Sequence, residues 1–267
     1  VLYEVKGPKT LYEMTWEEAG EAIEKDGIAL IPVGSTEQHG LHLPLGSDSI
    51  QADDLARRVV AKCSEEGVTV VASPTIPFGI SPHHMKFPGS ITLSSGTLMA
   101  VIWDVVDSLY QHGCRRFVLL LGHGGNLATL RLAAQDLAAE YEDCLFLAPD
   151  WLSVMYAHYS RILKSKRWME EHHSGEAETA RMIASTPGLV HLDRAKVYYA
   201  APEVDPYRKP DYGGSPGKED GAVGMKEITP IGSMGDPRLA TAETGEKLYE
   251  IAADWLTKVI VTECVKK

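Results

Sequence analysis

The chain has 267 residues and a mass of 29.2 kDa, with 44% hydrophobic and 24% charged residues. This is the composition of a globular protein whose core needs no disulfide or zinc staples, and it excludes disordered, collagen-like and mini-protein classes. The 26 Lys and Arg against 37 Asp and Glu give a net charge of −11. Because this charge repels phosphate backbones and anionic lipids, neither nucleic acid nor membrane is an expected partner.

The sequence also predicts a cytoplasmic protein. Its longest purely aliphatic or aromatic run, 117–121, is far shorter than the roughly 18 residues that suggest a membrane span. The first fifteen residues lack the apolar core and cleavage site of a signal peptide. The cysteines are widely spaced and form no C-x-x-C pair, which predicts free thiols in a reducing compartment. They are Cys63, Cys114, Cys144 and Cys264.

Helices and short apolar runs alternate over the first 150 residues. Thr15 and Glu18 predict a capping box for a helix over about 15–25, which Gly27 ends. The other expected helices are one from Asp48, as its N-cap, to near Gly67, one over 95–111 and one over 126–141. The expected strands are 28–33, 68–72, 116–121 and 144–148. Strands separated by single helices predict an α/β fold of three α/β/α layers around a mainly parallel sheet.

The pattern is less regular beyond residue 150. Helices are expected over 151–167, 176–185 and 239–261. Residues 202–237 are rich in Gly and Pro, which predicts a long irregular loop that serves as a lid, a binding loop or an oligomer contact. We expect residues 1–267 to form a single domain that carries this loop.

Polar side chains follow the predicted strands at their carboxyl ends, where open α/β sheets bind ligands. Glu37, His39 and Asp48 follow the first strand, His123 follows the third, and a His-His-Ser-Gly-Glu segment at 172–176 comes later. Imidazoles and carboxylates suit zinc, manganese or iron(II). Taken singly, each residue has a structural alternative, since a loop histidine is often only hydrogen-bonded and Asp48 alone is most simply an N-cap.

Four ordered sequence blocks resemble the signature motifs of the creatininase family (creatinine amidohydrolases). They are Glu-Gln-His-Gly at 37–40 with the downstream Asp48, Phe-Pro-Gly-Ser at 87–90, Gly-His-Gly-Gly-Asn at 122–126 and His-Ser-Gly-Glu-Ala-Glu-Thr at 173–179. The family also holds an archaeal formamide deformylase of flavin and deazaflavin synthesis and the peptidase that matures mycofactocin. The resemblance covers nearly the whole chain, and the Gly-His-Gly-Gly-Asn block is closer to the formamide-deformylase-like members than to creatininase proper.

The resemblance implies a binuclear metal centre in a homohexamer. Two divalent ions per chain are expected, zinc first, with manganese or iron as alternatives. Glu37 and His123 would hold one ion and His39 the other, with Asp48 bridging both.

The last ligand departs from the family pattern. Creatininase proper completes its second site with a glutamate two residues after the motif histidine, where this chain has Gly125. Glu176 is the expected replacement, as in the deformylase-like members. Glu178 is the competing choice, and it has its own alternative as a structural carboxylate near a helix start.

The resemblance further implies hydrolysis of a non-peptide C–N bond in a small amide, cyclic amides included. His173 is the expected general acid, with Glu176 beside it in the catalytic set. Trp151 would cover the substrate or else be a core aromatic residue, and His84 would line the pocket or else be a solvated loop residue. Gly124 replaces a tyrosine of creatininase proper and is the third expected substrate contact. The alternatives are a formamide deformylase and a non-catalytic metal-binding scaffold.

Overall fold

The protein is described here by a computed structural model that covers residues 7–200 and 224–265, together with the backbone of 217–218 and 221–222. The helices are α1 (Trp16–Asp26), α2 (Ser47–Glu65), α3 (Ser95–Gln111), α4 (Leu127–Glu140), α5 (Trp151–Tyr156), α6 (Tyr159–Ile162), α7 (Glu176–Ser185), α8 (Met225–Ile228) and α9 (Ala242–Ile260). The strands are β1 (Ile28–Val33), β2 (Val70–Ala72), β3 (Arg116–Leu121), β4 (Leu145–Leu147), β5 (Gly217–Lys218) and β6 (Gly221–Ala222).

The main sheet has the strand order β2-β1-β3-β4, and all its neighbours pair in parallel. Strand β1 pairs with β3 over its full length, from Ile28 against Arg116 to Val33 against Leu121. Every residue of β1 is buried, as its uninterrupted apolar run requires in a strand covered on both faces. The expected α/β fold with a mainly parallel sheet is confirmed.

The connections place helices on both faces of this sheet. Helix α2 leads outward from β1 to β2, whereas α3 leads from β2 back past β1 to β3, and α4 continues in that direction to β4. Because parallel crossovers are right-handed, opposite directions of travel put α2 on one face and α3 with α4 on the other. Helices α7 and α9 pack with α2, which completes the layer on that face.

The capping residues predicted for α1 are confirmed, whereas the one predicted for α2 is not. Thr15 and Glu18 form the expected capping box, and Gly27 ends α1 with φ of 59°, a conformation that favours glycine. The N-cap prediction for Asp48 is wrong. Helix α2 begins at Ser47 after Gly46, without a side-chain cap. The Asp48 carboxylate instead contacts His39 and His123.

Other boundaries differ from the expected ones. Strand β2 is two residues shorter than expected, and the single helix expected over 151–167 is broken into α5 and α6. The last helix begins three residues later than expected, because Pro237–Leu239 forms a separate 3₁₀ turn. Much of the expected 202–237 loop lies outside the described residues, yet α8 and the β5–β6 pair fall within that range. The prediction of an irregular loop throughout 202–237 is therefore wrong.

Helix α9 packs closely against α7 and α2. A Cβ atom added at Gly245 would lie 2.1 Å from the carbonyl oxygen of Ala180 on α7, so the two helices approach closely only because glycine stands there. Leu248, Tyr249 and Leu256 of α9 are fully buried. Within the described part of the chain, no helix is both long and apolar enough to cross a membrane.

Candidate metal centre

The site lies at the carboxyl ends of β1 and β3. Asn126, just after β3, fixes the loops around it: its amide donates to the carbonyl oxygens of Val33 (3.1 Å) and Gly34 (2.9 Å), and its side-chain oxygen accepts from the Ile80 amide at 2.9 Å. These bonds join the segment that follows β1, the segment that follows β2 and the start of α4. The loops that carry the acidic and histidine side chains are therefore tied to one another.

Asp48 lies between two imidazoles. Its Oδ1 is 3.2 Å from Nε2 of His39, and its Oδ2 is 3.0 Å from Nδ1 of His123. The same Nε2 of His39 is also 3.8 Å from Oε2 of Glu178. Three segments that are distant in the sequence thus meet at Asp48, in the central position expected of a bridging carboxylate.

Glu37 lies on the far side of His123. Its Oε2 is 3.2 Å from Nε2 of His123 and accepts a hydrogen bond from the Ser81 hydroxyl. Its Oε1 is 3.2 Å from Nε2 of His84 and 3.9 Å from Nδ1 of His173. A fully buried carboxylate is therefore surrounded by imidazoles.

The donor set fits divalent cations. Three overlapping groups of side chains each have their ligand atoms within 4.8 Å of one another. The groups are Glu37 with His39 and His173, Glu37 with His83 and His123, and His39 with Asp48 and Glu178. Oε1 of Glu37 and Oδ2 of Asp48 are buried, and the imidazole nitrogens beside them, Nε2 of His84 at 3.2 Å and Nδ1 of His123 at 3.0 Å, are not aligned to donate a hydrogen bond in the described part of the chain. Leaving such oxygens without a partner is costly, and a bound cation would satisfy both.

The electrostatics of the cluster follow from burial and paired charge. Burial raises the pKa of Glu37 to about 7, although His123 partly offsets this effect. Burial disfavours protonation of His39 and His123, but the negative charges around them prevail, chiefly Asp48 at His39 and Glu37 at His123, and raise their pKa values to about 10 and about 9. Burial alone would raise the pKa of Asp48, yet the two imidazoles hold it well below its usual range.

A short turn after β2 adds histidines to this cluster. His84 is buried, and its Nδ1 is 2.9 Å from the side-chain nitrogen of Gln38. The interpretation of His84 as a solvated loop residue is therefore wrong, and it lies at the site. Burial and neighbouring imidazoles lower the pKa values of His83, to about 4, and of His84, so both rings are neutral at pH 7.

The sequence reasoning missed His83, Ser81 and Gln38. A signal for the first two was present, because the Ser-Pro-His-His run follows β2 at the same carboxyl edge of the sheet as the other polar segments. The role of Gln38 depends on side-chain hydrogen bonds that no sequence spacing predicts.

The orientation of His173 is fixed by backbone. Its Nε2 lies 2.6 Å from the carbonyl oxygen of Gln38, so Nε2 carries the proton and donates it, since a carbonyl only accepts. In the neutral ring Nδ1 therefore holds the lone pair, and this atom lies 3.9 Å from Oε1 of Glu37. Burial, together with the charge of His39, lowers the pKa of His173 well below its ordinary value.

The two candidate glutamates of α7 take different directions. Glu176 is fully buried and accepts hydrogen bonds from the backbone amides of Lys164 and Ser165, both at 2.8 Å. Glu178 instead points to His39 and accepts from the amide of Ser174. The structure brings Glu178 to the cluster and does not bring Glu176 there.

The loop before α7 is attached to the C-terminal part of the chain. The Glu171 carboxylate accepts from the amides of Glu176, at 2.7 Å, and Asp236, at 3.0 Å. Backbone bonds join His172 and His173 to Met234, at 3.1 and 2.8 Å. His173 thus owes its position to residues about 60 positions further along the chain.

The two remaining predicted substrate contacts, Trp151 and Gly124, differ in exposure. Trp151 is only 2% exposed and donates its indole N–H to the carbonyl oxygen of Leu121 at 2.6 Å, which supports the interpretation as a core aromatic residue. Gly124 is exposed, and a Cβ atom there would meet nothing within 4 Å. At Gly125 a Cβ atom would lie 2.4 Å from both Nε2 of His123 and the carbonyl oxygen of Ile80. A side chain at 125 would therefore displace His123 or the backbone.

Comparison with known proteins agrees with this architecture. A family model described as creatininase (creatinine amidohydrolase) matches residues 12–260. A mycofactocin precursor peptide peptidase from Mycobacterium ulcerans (strain Agy99) is 30% identical over 235 residues, covering 86% of this chain and 83% of that protein. A creatinine amidohydrolase from Pseudomonas putida is 25% identical over 275 residues, covering 94% and 95%.

Solved structures show the same relationship. One from Bacteroides fragilis NCTC 9343, provisionally named a creatinine amidohydrolase, superposes with a TM-score of 0.80 at 29% identity and covers 96% of each chain. Similar creatininase structures, at 25% identity, include a manganese form and a zinc–zinc form, with TM-scores of 0.73 and 0.71. Because the creatininase family model matches residues 12–260, this chain belongs to the creatininase family.

Proposed function

We propose that this protein is an amidohydrolase with two divalent metal ions, cleaving a C–N bond of an amide substrate. The observation that carries the proposal is the buried meeting of Glu37, His39, Asp48, His123 and Glu178 from separate segments, with carboxylate oxygens left unsatisfied. Family membership supports a hydrolytic enzyme.

The contacts support a division of these residues between two ions. His39, Asp48 and Glu178 form one group and would hold the second ion. Glu37 and His123 would hold the first, and Asp48 would be shared with it once the His123 ring turns, because Nε2 of His123 faces Glu37 and Nδ1 faces Asp48. Glu178 takes the place for which Glu176 was the first expectation, because both oxygens of Glu176 are bonded to backbone amides. The manganese and zinc–zinc forms of similar creatininases support zinc or manganese as the resident ions.

Two ions bound here would supply a water nucleophile of lowered pKa and would polarise an amide carbonyl group. His173 serves proton transfer through Nδ1, since Nε2 is committed to the Gln38 carbonyl oxygen. A neutral Nδ1 first accepts a proton from the nucleophile and then delivers it to the leaving nitrogen. The general-acid role expected of His173 thus becomes the second half of a base-then-acid cycle at one atom.

The substrate is proposed to be a small non-peptide amide, cyclic amides included. The second candidate is a peptide amide, favoured by the mycofactocin precursor peptide peptidases among the relatives, of which the one from Mycobacterium ulcerans is 30% identical. The exposed backbone and open space at Gly124 leave room for either. Formamide deformylation is the third, from the resemblance of the Gly-His-Gly-Gly-Asn block. We further expect a homohexamer, which light scattering of the purified protein will test, and a cytoplasmic location, which cell fractionation will test.

The deciding experiment measures metal content and product formation together. Protein purified without chelator is analysed for Zn, Mn and Fe, then assayed on creatinine, other cyclic ureides and lactams, formamides and short peptides. We expect about two ions per chain and turnover of one substrate class, with formate release marking deformylation. One ion or none, without turnover of any class, contradicts the proposal and favours a non-catalytic scaffold.

A further inference from the structure

The turn at 81–84 presents side chains to Glu37 from one side. Ser81 donates its hydroxyl to Oε2, and His84 places Nε2 at 3.2 Å from Oε1. Between them in sequence, His83 belongs to the group whose ligand atoms, with those of Glu37 and His123, all lie within 4.8 Å of one another.

Neither ring nitrogen of His83 makes a hydrogen bond with any part of the chain that the structure describes. The ring is partly buried, nearly parallel to that of His123 at an interplanar angle of 12°, with centroids 5.8 Å apart, and edge-on to His84 at 4.3 Å. A neutral imidazole has one nitrogen with a free lone pair. Because no hydrogen bond uses that lone pair in His83, it can bind a metal ion.

The backbone under His83 is held in place. Helix α8 packs against the 81–84 turn, and Lys86, just beyond the turn, pairs with Glu227 of α8. Phe87 packs on the small apolar cluster that includes Met225, Ile228 and Met234. His83 therefore approaches Glu37 and His123 from a supported position.

We infer that His83 is a ligand of the metal ion held by Glu37 and His123, an inference that rests on the proposed metal centre. Two ligands of one zinc ion at roughly 2.1 Å each are at most about 4.2 Å apart, so small side-chain rotations close this group. The first site then carries two imidazoles with its carboxylates, whereas the second carries one imidazole and two carboxylates. Since imidazole favours zinc and carboxylate favours manganese or magnesium, the first site selects zinc more strongly.

The test is metal binding by the full chain, with activity as a secondary readout. Wild type, His83→Ala and His83→Glu are stripped of metal and titrated with Zn²⁺ and with Mn²⁺ separately. His112→Ala is the matched control, because His112 is an exposed histidine at the end of α3. Thermal unfolding of each metal-free variant verifies that it is folded.

We expect wild type to bind two zinc ions, and His83→Ala to lose at least about 100-fold in affinity for one of them, beyond the range typical of an outer-shell residue. His83→Glu should regain binding while shifting the zinc-to-manganese preference of that site toward manganese. In Co²⁺-loaded protein, the visible spectrum should change with His83→Ala and stay unchanged with His112→Ala.

The two proposals fail separately. Wild type that binds no zinc contradicts the metal centre itself. Wild type with two zinc ions, together with a His83→Ala variant that binds both within tenfold of wild type and keeps the cobalt spectrum, overturns the ligand role of His83 and leaves the metal centre standing.

Discussion

Glu176 and Glu178 lie two residues apart on α7, and their carboxylates serve different parts of the molecule. Residues two apart on an α-helix point in nearly opposite directions. Glu176 accordingly caps the backbone amides at 164 and 165, whereas Glu178 reaches to 3.8 Å from His39. We therefore assign Glu178 as the candidate metal ligand and Glu176 as a structural carboxylate.

Conservative variants test this division. Glu178→Gln should lose one metal ion and most of the activity while the free energy of unfolding of the metal-free protein changes little. Glu176→Gln should keep both ions but unfold about 1.5–3 kcal/mol more easily, because the charged acceptor of two backbone amides is lost. Metal analysis and urea unfolding of the two variants decide. Loss of metal from Glu176→Gln with retention in Glu178→Gln would reverse the assignment.

Neighbouring glycines after His123 provide a second matched pair. Gly125→Ala should weaken metal binding, because its Cβ atom would collide with Nε2 of His123 and the backbone oxygen of Ile80. Gly124→Ala meets open space and should bind metal as wild type does. Zinc titration measures both. Equal affinities in the two variants would show that the loop relaxes without disturbing His123.

A third prediction concerns His173. Replacing it with Asn should lower kcat by about 100- to 10,000-fold, the usual contribution of general acid–base catalysis, while both metal ions remain bound. In the metal-free wild type, ¹⁵N NMR of the histidine rings should show the His173 proton on Nε2, as the bond to the Gln38 carbonyl oxygen requires. Loss of a metal ion from the Asn variant would identify His173 as a ligand instead.

Metal binding should release protons. In the metal-free protein the pKa values of His39 and His123 are raised to about 10 and about 9, so both rings are protonated at pH 7 and must lose their protons to bind an ion. Affinity should therefore rise with pH up to about pH 10, as first His123 and then His39 loses its proton. Calorimetric titrations with Zn²⁺ at pH 7, in two buffers of different ionisation enthalpy, should report about two protons or more per chain. A heat independent of the buffer would mean that the rings are already neutral.

The mainly parallel sheet was accessible from the sequence because short apolar runs alternate with amphipathic helices, whereas the strand order came only from the structure. The exact ends were less accessible. Ser47 rather than Asp48 begins its helix, since the Asp48 side chain is directed to His39 and His123 instead of to the helix amides. Tertiary contacts of this kind override local capping preferences.

The site was predictable where it follows strand ends and motifs, which points to Glu37, His39, Asp48 and His123. It was not predictable where a choice depends on which way a side chain turns. Glu176 was preferred over Glu178 because sequence position cannot show that backbone amides at 164 and 165 approach one face of α7.

The bonds between Glu171 and the amide of Asp236, and between His173 and Met234, join the site to the segment that leads into α9. A polypeptide ending near residue 230 would contain every candidate ligand. It would lack Met234, whose backbone holds His173, and helix α9, against which α7 packs. During synthesis, the site is therefore completed only after residues 231–260 have left the ribosome. Premature termination in this region should yield a protein without a metal centre.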